Sequence, residues 1–169
     1  MMRSFSTAAR VMGAAGLLAM TPLQPAGAEP DADADTAEIV IAAGPCFGRC
    51  PVYSTRILAD GGGRFIGTRF VAKVGEQALL VEPATFRAIE KRLAPYRPAA
   101  DRRIGPEECE SFRTDAPSWT VRWVDKSGEA VTLSFSLGCT DLRYVPLAEA
   151  IRSSNEMLPI GPLVGDRQR

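Results

Sequence analysis

The four cysteines are the residues of this sequence best suited to chemistry, and two of them lie close together in the run Cys46-Phe47-Gly48-Arg49-Cys50. The sequence contains no histidine. That absence excludes Ser-His-Asp and Cys-His catalysis, histidine-bound metals and the Cys-x-x-Cys-His attachment of haem. The cysteines therefore serve as disulfides, as a redox pair or as metal ligands.

Disulfides are the structural interpretation of the cysteines. Four cysteines form two bridges in an oxidising compartment, and they can be paired in three ways. The three residues between Cys46 and Cys50 allow their Cα atoms to come within bridging distance, and Gly48 supplies backbone freedom for the turn. Cys109 and Cys139 flank a predicted hairpin from outside. We therefore favour Cys46–Cys50 together with Cys109–Cys139.

Redox chemistry and metal binding are the competing interpretations. Thiol–disulfide exchange enzymes usually carry Cys-x-x-Cys at a helix N-terminus, whereas this pair has a longer spacing and precedes a strand. Only Arg49, which favours a thiolate, supports exchange. Closed zinc sites usually combine two close cysteine pairs, but Cys109 and Cys139 are 30 positions apart. We predict no catalytic residue, no metal and no cofactor, with a thiol–disulfide oxidoreductase using Cys46 and Cys50 as the alternative.

Several arginines near the cysteine turn are candidates for binding an anionic glycan or lipid head group, although the pattern favours a solvated sheet face. The candidate ligand-binding residues are Arg49, Arg56, Arg69 and the neighbouring Tyr53. The whole chain has 20 basic and 20 acidic residues. This balance predicts no binding of nucleic acid and no general attraction to anionic membranes.

The first 28 residues are typical of a secretory signal peptide. Arg3 and Arg10 are their only charges, an apolar run covers residues 11–20, and Ala26-Gly27-Ala28 matches the small-x-small cleavage pattern. The apolar run is too short to span a bilayer, which takes roughly 20 helical residues. We expect cleavage near Ala28 and a periplasmic or secreted mature chain without a transmembrane span.

The first strand signals are a short apolar run at residues 39–43 and a hairpin of residues 53–58 and 64–71. The run Asp60-Gly61-Gly62-Gly63 between the two halves is a strong turn signal. With a loop of two or four residues, Arg56 and Arg69 share the open face. The expected pairs on the core face are Tyr53 with Phe70, Thr55 with Thr68, and Ile57 with Ile66.

A second hairpin follows from two alternating apolar sets, whose facing members must share a side of the sheet. The expected loop has three residues, Lys126-Ser127-Gly128, with Gly128 in the left-handed conformation. The first set faces the second in reverse order: Trp119, Val121 and Trp123 against Phe135, Leu133 and Val131.

Two helices complete the predicted elements. Pro83 opens the first and Pro146 opens the second. Their apolar positions recur at helical spacing, and they are Phe86, Ile89 and Leu93, then Leu147, Ala150 and Ile151. The order of elements predicts an α+β domain, with a single antiparallel sheet of about five strands and two helices packed on one face. The expected divisions are a signal peptide at 1–28, an acidic linker at 29–37, one domain at 38–158 and a surface tail at 159–169.

The octapeptide from Cys46 to Tyr53 resembles the signature Cys-Phe-Gly-x-Cys-Pro-x-Tyr of an uncharacterised family of exported bacterial proteins, a domain of unknown function. Asp60-Gly61 and Thr114-Asp115-Ala116-Pro117 also match that family, and the similarity runs from about residue 39 to about residue 160. The resemblance implies that Cys46 and Cys50 pair with each other, and it implies no activity. We expect an exported, disulfide-stapled envelope domain, a non-catalytic binding or structural module whose partner is an envelope protein or an anionic ligand.

Overall fold

The computed structural model describes residues 36–165. The expected signal peptide lies outside the described residues, as does nearly all of the expected linker. There are seven strands, named β1 (Thr36–Ala43), β2 (Val52–Leu58), β3 (Gly62–Arg69), β4 (Gly75–Leu80), β5 (Arg102–Ile104), β6 (Ser118–Asp125) and β7 (Ala130–Ser136). The helices are α1 (Pro83–Leu93), α2 (Val145–Glu156) and the single turn α3 (Gly161–Val164), with 3-10 turns at Ala94–Tyr96 and Leu142–Tyr144.

All seven strands form one sheet in the order β4-β3-β2-β1-β6-β7-β5. Neighbouring strands are antiparallel except β5 and β7, which are parallel. The α+β class is confirmed, but the prediction of about five strands in a purely antiparallel sheet is wrong. The two missed strands, β4 and β5, are the edges of the sheet, where a strand has one neighbour and need not alternate apolar with polar residues.

One buried cluster joins the two predicted helices to a single face of the sheet. Both helices carry proline in their first turn, as expected. The sheet contributes inward side chains such as Ile39, Ile57 and Trp123, and the helices contribute Phe86 and Ile151, all almost fully buried. The opposite face of the sheet carries exposed side chains. The helical layer therefore covers one face and leaves the other open.

The second hairpin has the predicted register. Trp119 pairs with Phe135 and Val121 with Leu133, so the two apolar sets meet on the core face. Gly128 has φ +89°, which is the left-handed conformation expected of the loop.

The first hairpin has a different register, which corrects the predicted pairs. Thr55 faces Phe65 instead of Thr68, and Ile57 faces Gly63. The turn consists of three residues, 59–61, in which Gly61 has φ +98° and the Asp60 carboxylate accepts the N–H of Gly62. An odd loop reverses which residues of the second strand point inward.

The consequence of that register is a change of core residue in β3. Phe65 is fully buried, whereas Ile66 is 42% exposed and lies on the open face. Tyr53 pairs with Gly67 instead of Phe70. Gly67 is required there because a Cβ atom would lie 2.0 Å from the carbonyl oxygen of Lys73.

Secondary structure begins before, and continues after, the domain of residues 38–158 that the sequence predicts. β1 begins at Thr36, whose side chain is buried, inside the segment expected to be linker. Ile160 is also buried and α3 follows it, inside the segment expected to be a surface tail. No helix between residues 36 and 165 has the length and apolar character needed to cross a membrane.

Candidate functional site

Two disulfides join the cysteines in the pairing favoured from the sequence. Cys46 and Cys50, with Cα atoms 5.7 Å apart, close the loop between β1 and β2. Cys109 and Cys139, with Cα atoms 5.6 Å apart, join the long loop before β6 to the segment after β7. No cysteine in the described part of the chain is unpaired. Neither Cys46 nor Cys50 begins a helix, because β2 follows the loop directly.

The Cys46–Cys50 loop is held against the Thr114–Pro117 segment that also carries the family resemblance. The N–H of Phe47 donates to the carbonyl of Asp115 at 3.1 Å, and the N–H of Gly44 donates to that of Ser118 at 2.7 Å. Asp115 adopts φ +66°, a left-handed conformation that aspartate tolerates better than most residues. Two distant segments of the sequence therefore form one structural unit.

Exposed cations and apolar side chains lie in the Cys46–Cys50 loop and in the connection between β3 and β4. The guanidinium groups of Arg49 and Arg69 lie 5.6 and 5.7 Å from the centre of the Phe70 ring. Phe70 is 42% exposed and Phe47, at the tip of the disulfide loop, is 88% exposed. We call the following set the arginine–aromatic patch: Phe47, Arg49, Arg69, Phe70, Lys73 and Val74.

The cations of the arginine–aromatic patch have no ion-pair partner within the described chain. Neither Arg49 nor Arg69 forms an ion pair with any residue between 36 and 165. The segments 47–49 and 69–74, which supply the patch, contain no acidic residue. The patch therefore presents three cations to solvent beside apolar side chains.

The patch lies at one end of the sheet, where β1 and β3 end and β2, β4 and β6 begin. Exposed apolar side chains concentrate in the connections at this end. Of the seven large apolar side chains exposed between residues 36 and 165, five belong to these connections or to the start of α2: Phe47, Phe70, Val74, Leu142 and Val145. Phe47, Phe70 and Val74 belong to the patch, whereas Leu142 and Val145 follow β7.

The structure separates the other two predicted ligand-binding residues from Arg49 and Arg69. Arg56 lies on the open face, where its guanidinium contacts the Glu38 carboxylate at 2.5 Å. Tyr53 is buried among core aromatic rings, and its hydroxyl accepts a hydrogen bond of 2.9 Å from Nδ2 of Asn155. Sequence reasoning grouped these residues by their nearness along the chain, whereas strand alternation directs them to different surfaces.

A cleft of about 610 Å³ between the sheet and α2 is a second candidate site. Its volume is within the usual range of small-molecule sites, about 300–1,000 Å³. We call it the α2 cleft. Its apolar lining comes from β1, β2, β6 and the two C-terminal helices, and includes Ala43, Pro51, Tyr53, Trp119, Leu137, Val145, Ala148, Ile160 and Val164. The sequence carries no signal for it, because the lining residues are spread from position 43 to position 165.

The polar residues of the α2 cleft are few. Arg152 bridges Glu149 and Glu156 with contacts of 2.5 and 2.7 Å. Its hydrogen bonds to the Glu149 carboxylate lower the pKa of that group below its ordinary value. Asn155, which is 7% exposed, is the buried polar residue of the lining.

Cys109, Cys139 and Asp141 bring their side-chain atoms within 4.8 Å of one another, a spacing that a metal site would also show. The two sulfurs are bonded to each other, so no thiolate is available as a ligand. The Asp141 carboxylate instead accepts the N–H groups of Glu110 and Ser111 at 3.0 and 2.9 Å. These amides hold the pKa of Asp141 below its usual range, with Arg143 adding to the effect. Asp141 therefore anchors the long loop.

A family model described as a domain of unknown function, DUF6438, matches residues 37–146. The match contains the Cys46–Cys50 loop and the whole arginine–aromatic patch, and it ends as α2 begins. No curated protein and no solved structure matches the chain significantly.

Proposed function

The chain belongs to the DUF6438 family, and on that premise we propose that it is an exported, non-catalytic module that binds an anionic lipid surface. The arginine–aromatic patch makes the contact. The observation that carries the proposal is the convergence of two guanidinium groups on the exposed ring of Phe70 without an acidic partner in the described chain.

The patch is suited to phosphate groups. A guanidinium is planar and offers paired N–H donors that match two phosphate oxygens, which an ammonium does not. The Phe70 ring attracts both guanidiniums by cation–π interactions, each about 0.5–1 kcal/mol at an exposed site. The ring therefore holds the two donors near each other before the ligand arrives.

The exposed apolar side chains favour a lipid surface over a soluble phosphate. Each cation near an anionic membrane contributes about 1 kcal/mol, so Arg49, Arg69 and Lys73 together supply about 3 kcal/mol. Insertion of the Phe47 side chain into the interface adds about 2 kcal/mol by removing apolar area from water. The sum gives weak, reversible binding. Two disulfides suit an oxidising compartment, which supports an exported location.

Co-sedimentation with lipid vesicles tests the proposal, using the purified chain with both disulfides formed. We expect binding to vesicles of phosphatidylglycerol mixed with phosphatidylcholine, and little binding to phosphatidylcholine alone. The double variant Arg49→Glu/Arg69→Glu should lose about tenfold or more of its affinity. The wild-type affinity should fall as salt is raised, because the contact is electrostatic.

The matched control is Arg103→Glu/Arg122→Glu, which reverses two exposed arginines of the open face. It changes the net charge equally and should leave vesicle binding nearly unchanged. Equal losses in both double variants would mean that only total charge matters, and the patch would not be the site. Arg56→Glu separates the patch from the wider arginine group predicted from the sequence, and we expect no loss from it.

The reduction potential of the Cys46–Cys50 bridge tests the alternative that this pair catalyses thiol–disulfide exchange. A reduction potential of Cys46–Cys50 of roughly −120 to −230 mV would place the pair among exchange catalysts and count against a non-catalytic module. We expect a potential below about −300 mV, which is typical of a structural bridge.

A further inference from the structure

The α2 cleft, with a volume of about 610 Å³, plays no part in the lipid contact proposed above. We propose that the α2 cleft is a separate binding site for a neutral, largely apolar small molecule. Two features carry this inference: the apolar lining and the charges at the rim.

The lining of the α2 cleft is apolar and fixed in place. Tyr53 and Trp119 stand next to each other, with ring centres 6.3 Å apart and nearly perpendicular planes. The Cys46–Cys50 bridge fixes Cys50 and the Gly44–Ser118 hydrogen bond fixes the adjoining wall. A site that exists before the ligand arrives does not have to order its own residues on binding.

One buried amide, that of Asn155, belongs to the lining. Its Nδ2 donates to the Tyr53 hydroxyl, but its Oδ1 has no hydrogen-bond partner among the described residues. Oδ1 is also shielded from solvent, so a ligand in the open cleft does not reach it and the amide sets no polar requirement for the ligand.

The rim determines the charge of the ligand. Two carboxylates, Glu149 and Glu156, flank the single cation Arg152, which already contacts both. An anion entering the α2 cleft would meet a net negative rim with its only guanidinium occupied. A neutral molecule has no such penalty. The cleft and the arginine–aromatic patch thus select ligands of different charge.

Two fluorescent dyes that differ by one sulfonate test the inference. N-phenyl-1-naphthylamine is neutral and largely apolar, and 8-anilino-1-naphthalenesulfonate is its anionic counterpart. We expect the neutral dye to bind the folded chain saturably and to bind about tenfold more tightly than the anionic one. Because the arginine–aromatic patch also attracts an apolar anion, the two dyes are compared on the variant Arg49→Glu/Arg69→Glu. Equal or tighter binding of the anionic dye to that variant would overturn the neutral class, and no saturable binding of the neutral dye would overturn the site.

A substitution that fills the α2 cleft tests whether the dye binds there. Ala148→Phe places a ring in the lining and should weaken the neutral dye about tenfold or more. The control Ala88→Phe makes the same change at an exposed position of α1, and should bind like the wild type. Unchanged binding by Ala148→Phe would place the dye elsewhere and overturn the inference.

A second variant covers the case in which Ala148→Phe does not fold. Gly161 lines the α2 cleft, and a Cβ atom there would meet nothing within 4 Å. Gly161→Leu should therefore fold and weaken the dye, and unchanged affinity in it would count against the site. Arg49→Glu/Arg69→Glu should keep the dye affinity, so that failure of the lipid proposal and failure of this one can be told apart.

Discussion

Asp141 fastens the long loop before β6 to the segment that follows β7. Its carboxylate accepts two backbone N–H groups, from Glu110 and Ser111, and also contacts Arg143 at 3.2 Å. Its side chain is only 7% exposed, so these donors replace water as its partners. A neutral amide at this position would offer one acceptor oxygen in place of two.

The first prediction concerns Asp141→Asn. Because the fold lowers the pKa of Asp141, the carboxylate stabilises the fold above its ordinary pKa of about 4, and this stabilisation is lost as pH falls through the lowered value. Thermal unfolding followed by circular dichroism should show a lower Tm for the variant at neutral pH. The difference from wild type should shrink below a pH of about 4.

Glu107→Gln is the control for this prediction. Glu107 is an exposed acid of the same loop without an ion pair in the described residues, so its variant should melt like the wild type at every pH. A difference in Tm between wild type and Asp141→Asn that persists in acid would contradict the electrostatic explanation.

At the scale of single residues, the sequence allowed the disulfide pairing to be predicted, because cysteines react with each other. The four cysteines pair as favoured because each bridge has a nearby partner along the chain or across a hairpin. The contact of Arg49 and Arg69 with Phe70 was not predicted. It depends on Phe70 adopting φ +55°, which a phenylalanine avoids on its own and which the β3–β4 connection imposes.

The hairpin of β2 and β3 shows how an element can be identified while its register is missed. Asp60 and the three glycines after it allow turns of several lengths, and each length pairs different residues. Phe65 and Ile66 are adjacent and both apolar, so hydrophobic pattern does not choose between them. The hairpin of β6 and β7 avoids this ambiguity because both of its strands alternate without a break.

The second prediction tests the observed register. Phe65→Ala should destabilise the fold by about 3–5 kcal/mol because it empties a fully buried site. Ile66→Ala should cost less than about 1 kcal/mol because that side chain is on the open face. Urea unfolding of the two variants measures both free energies, and the reverse ranking would favour the register expected from the sequence.

The whole molecule combines a helical layer, a sheet and two bridges that restrain different lengths of chain. Cys46–Cys50 spans a separation of 4 residues and Cys109–Cys139 a separation of 30. A longer closed loop removes more conformational freedom from the unfolded chain. The second bridge therefore bears more on global stability, whereas the first shapes a surface loop.

The third prediction compares removal of the two bridges. Cys109→Ala/Cys139→Ala should lower the free energy of unfolding by about 3.5 kcal/mol, and Cys46→Ala/Cys50→Ala by about 2 kcal/mol, from loop-closure entropy. Chemical unfolding of both double variants under non-reducing conditions gives the two values. A larger loss from the Cys46–Cys50 variant would mean that the short loop organises the sheet end beyond restraining the chain.

The α+β class and both long helices could be predicted from the sequence because their signals are local: proline at the start, apolar spacing and turn residues. The edge strands β4 and β5 could not, since β5 owes its existence to β7, which lies about 30 residues later in the chain. The α2 cleft was missed for the same reason. Its walls become neighbours only when α2 and α3 close over the end of the sheet.

Both bridges join cysteines that are consecutive in the sequence, so neither encloses another cysteine. A chain that enters an oxidising compartment from its N-terminus exposes Cys46 and Cys50 first, and this pair can be oxidised before Cys109 arrives. Oxidation in order of emergence then produces only the native bridges. For the exported location proposed above, maturation should consequently require a dithiol oxidase but no disulfide isomerase, and the yield should be the same in cells that lack the isomerase.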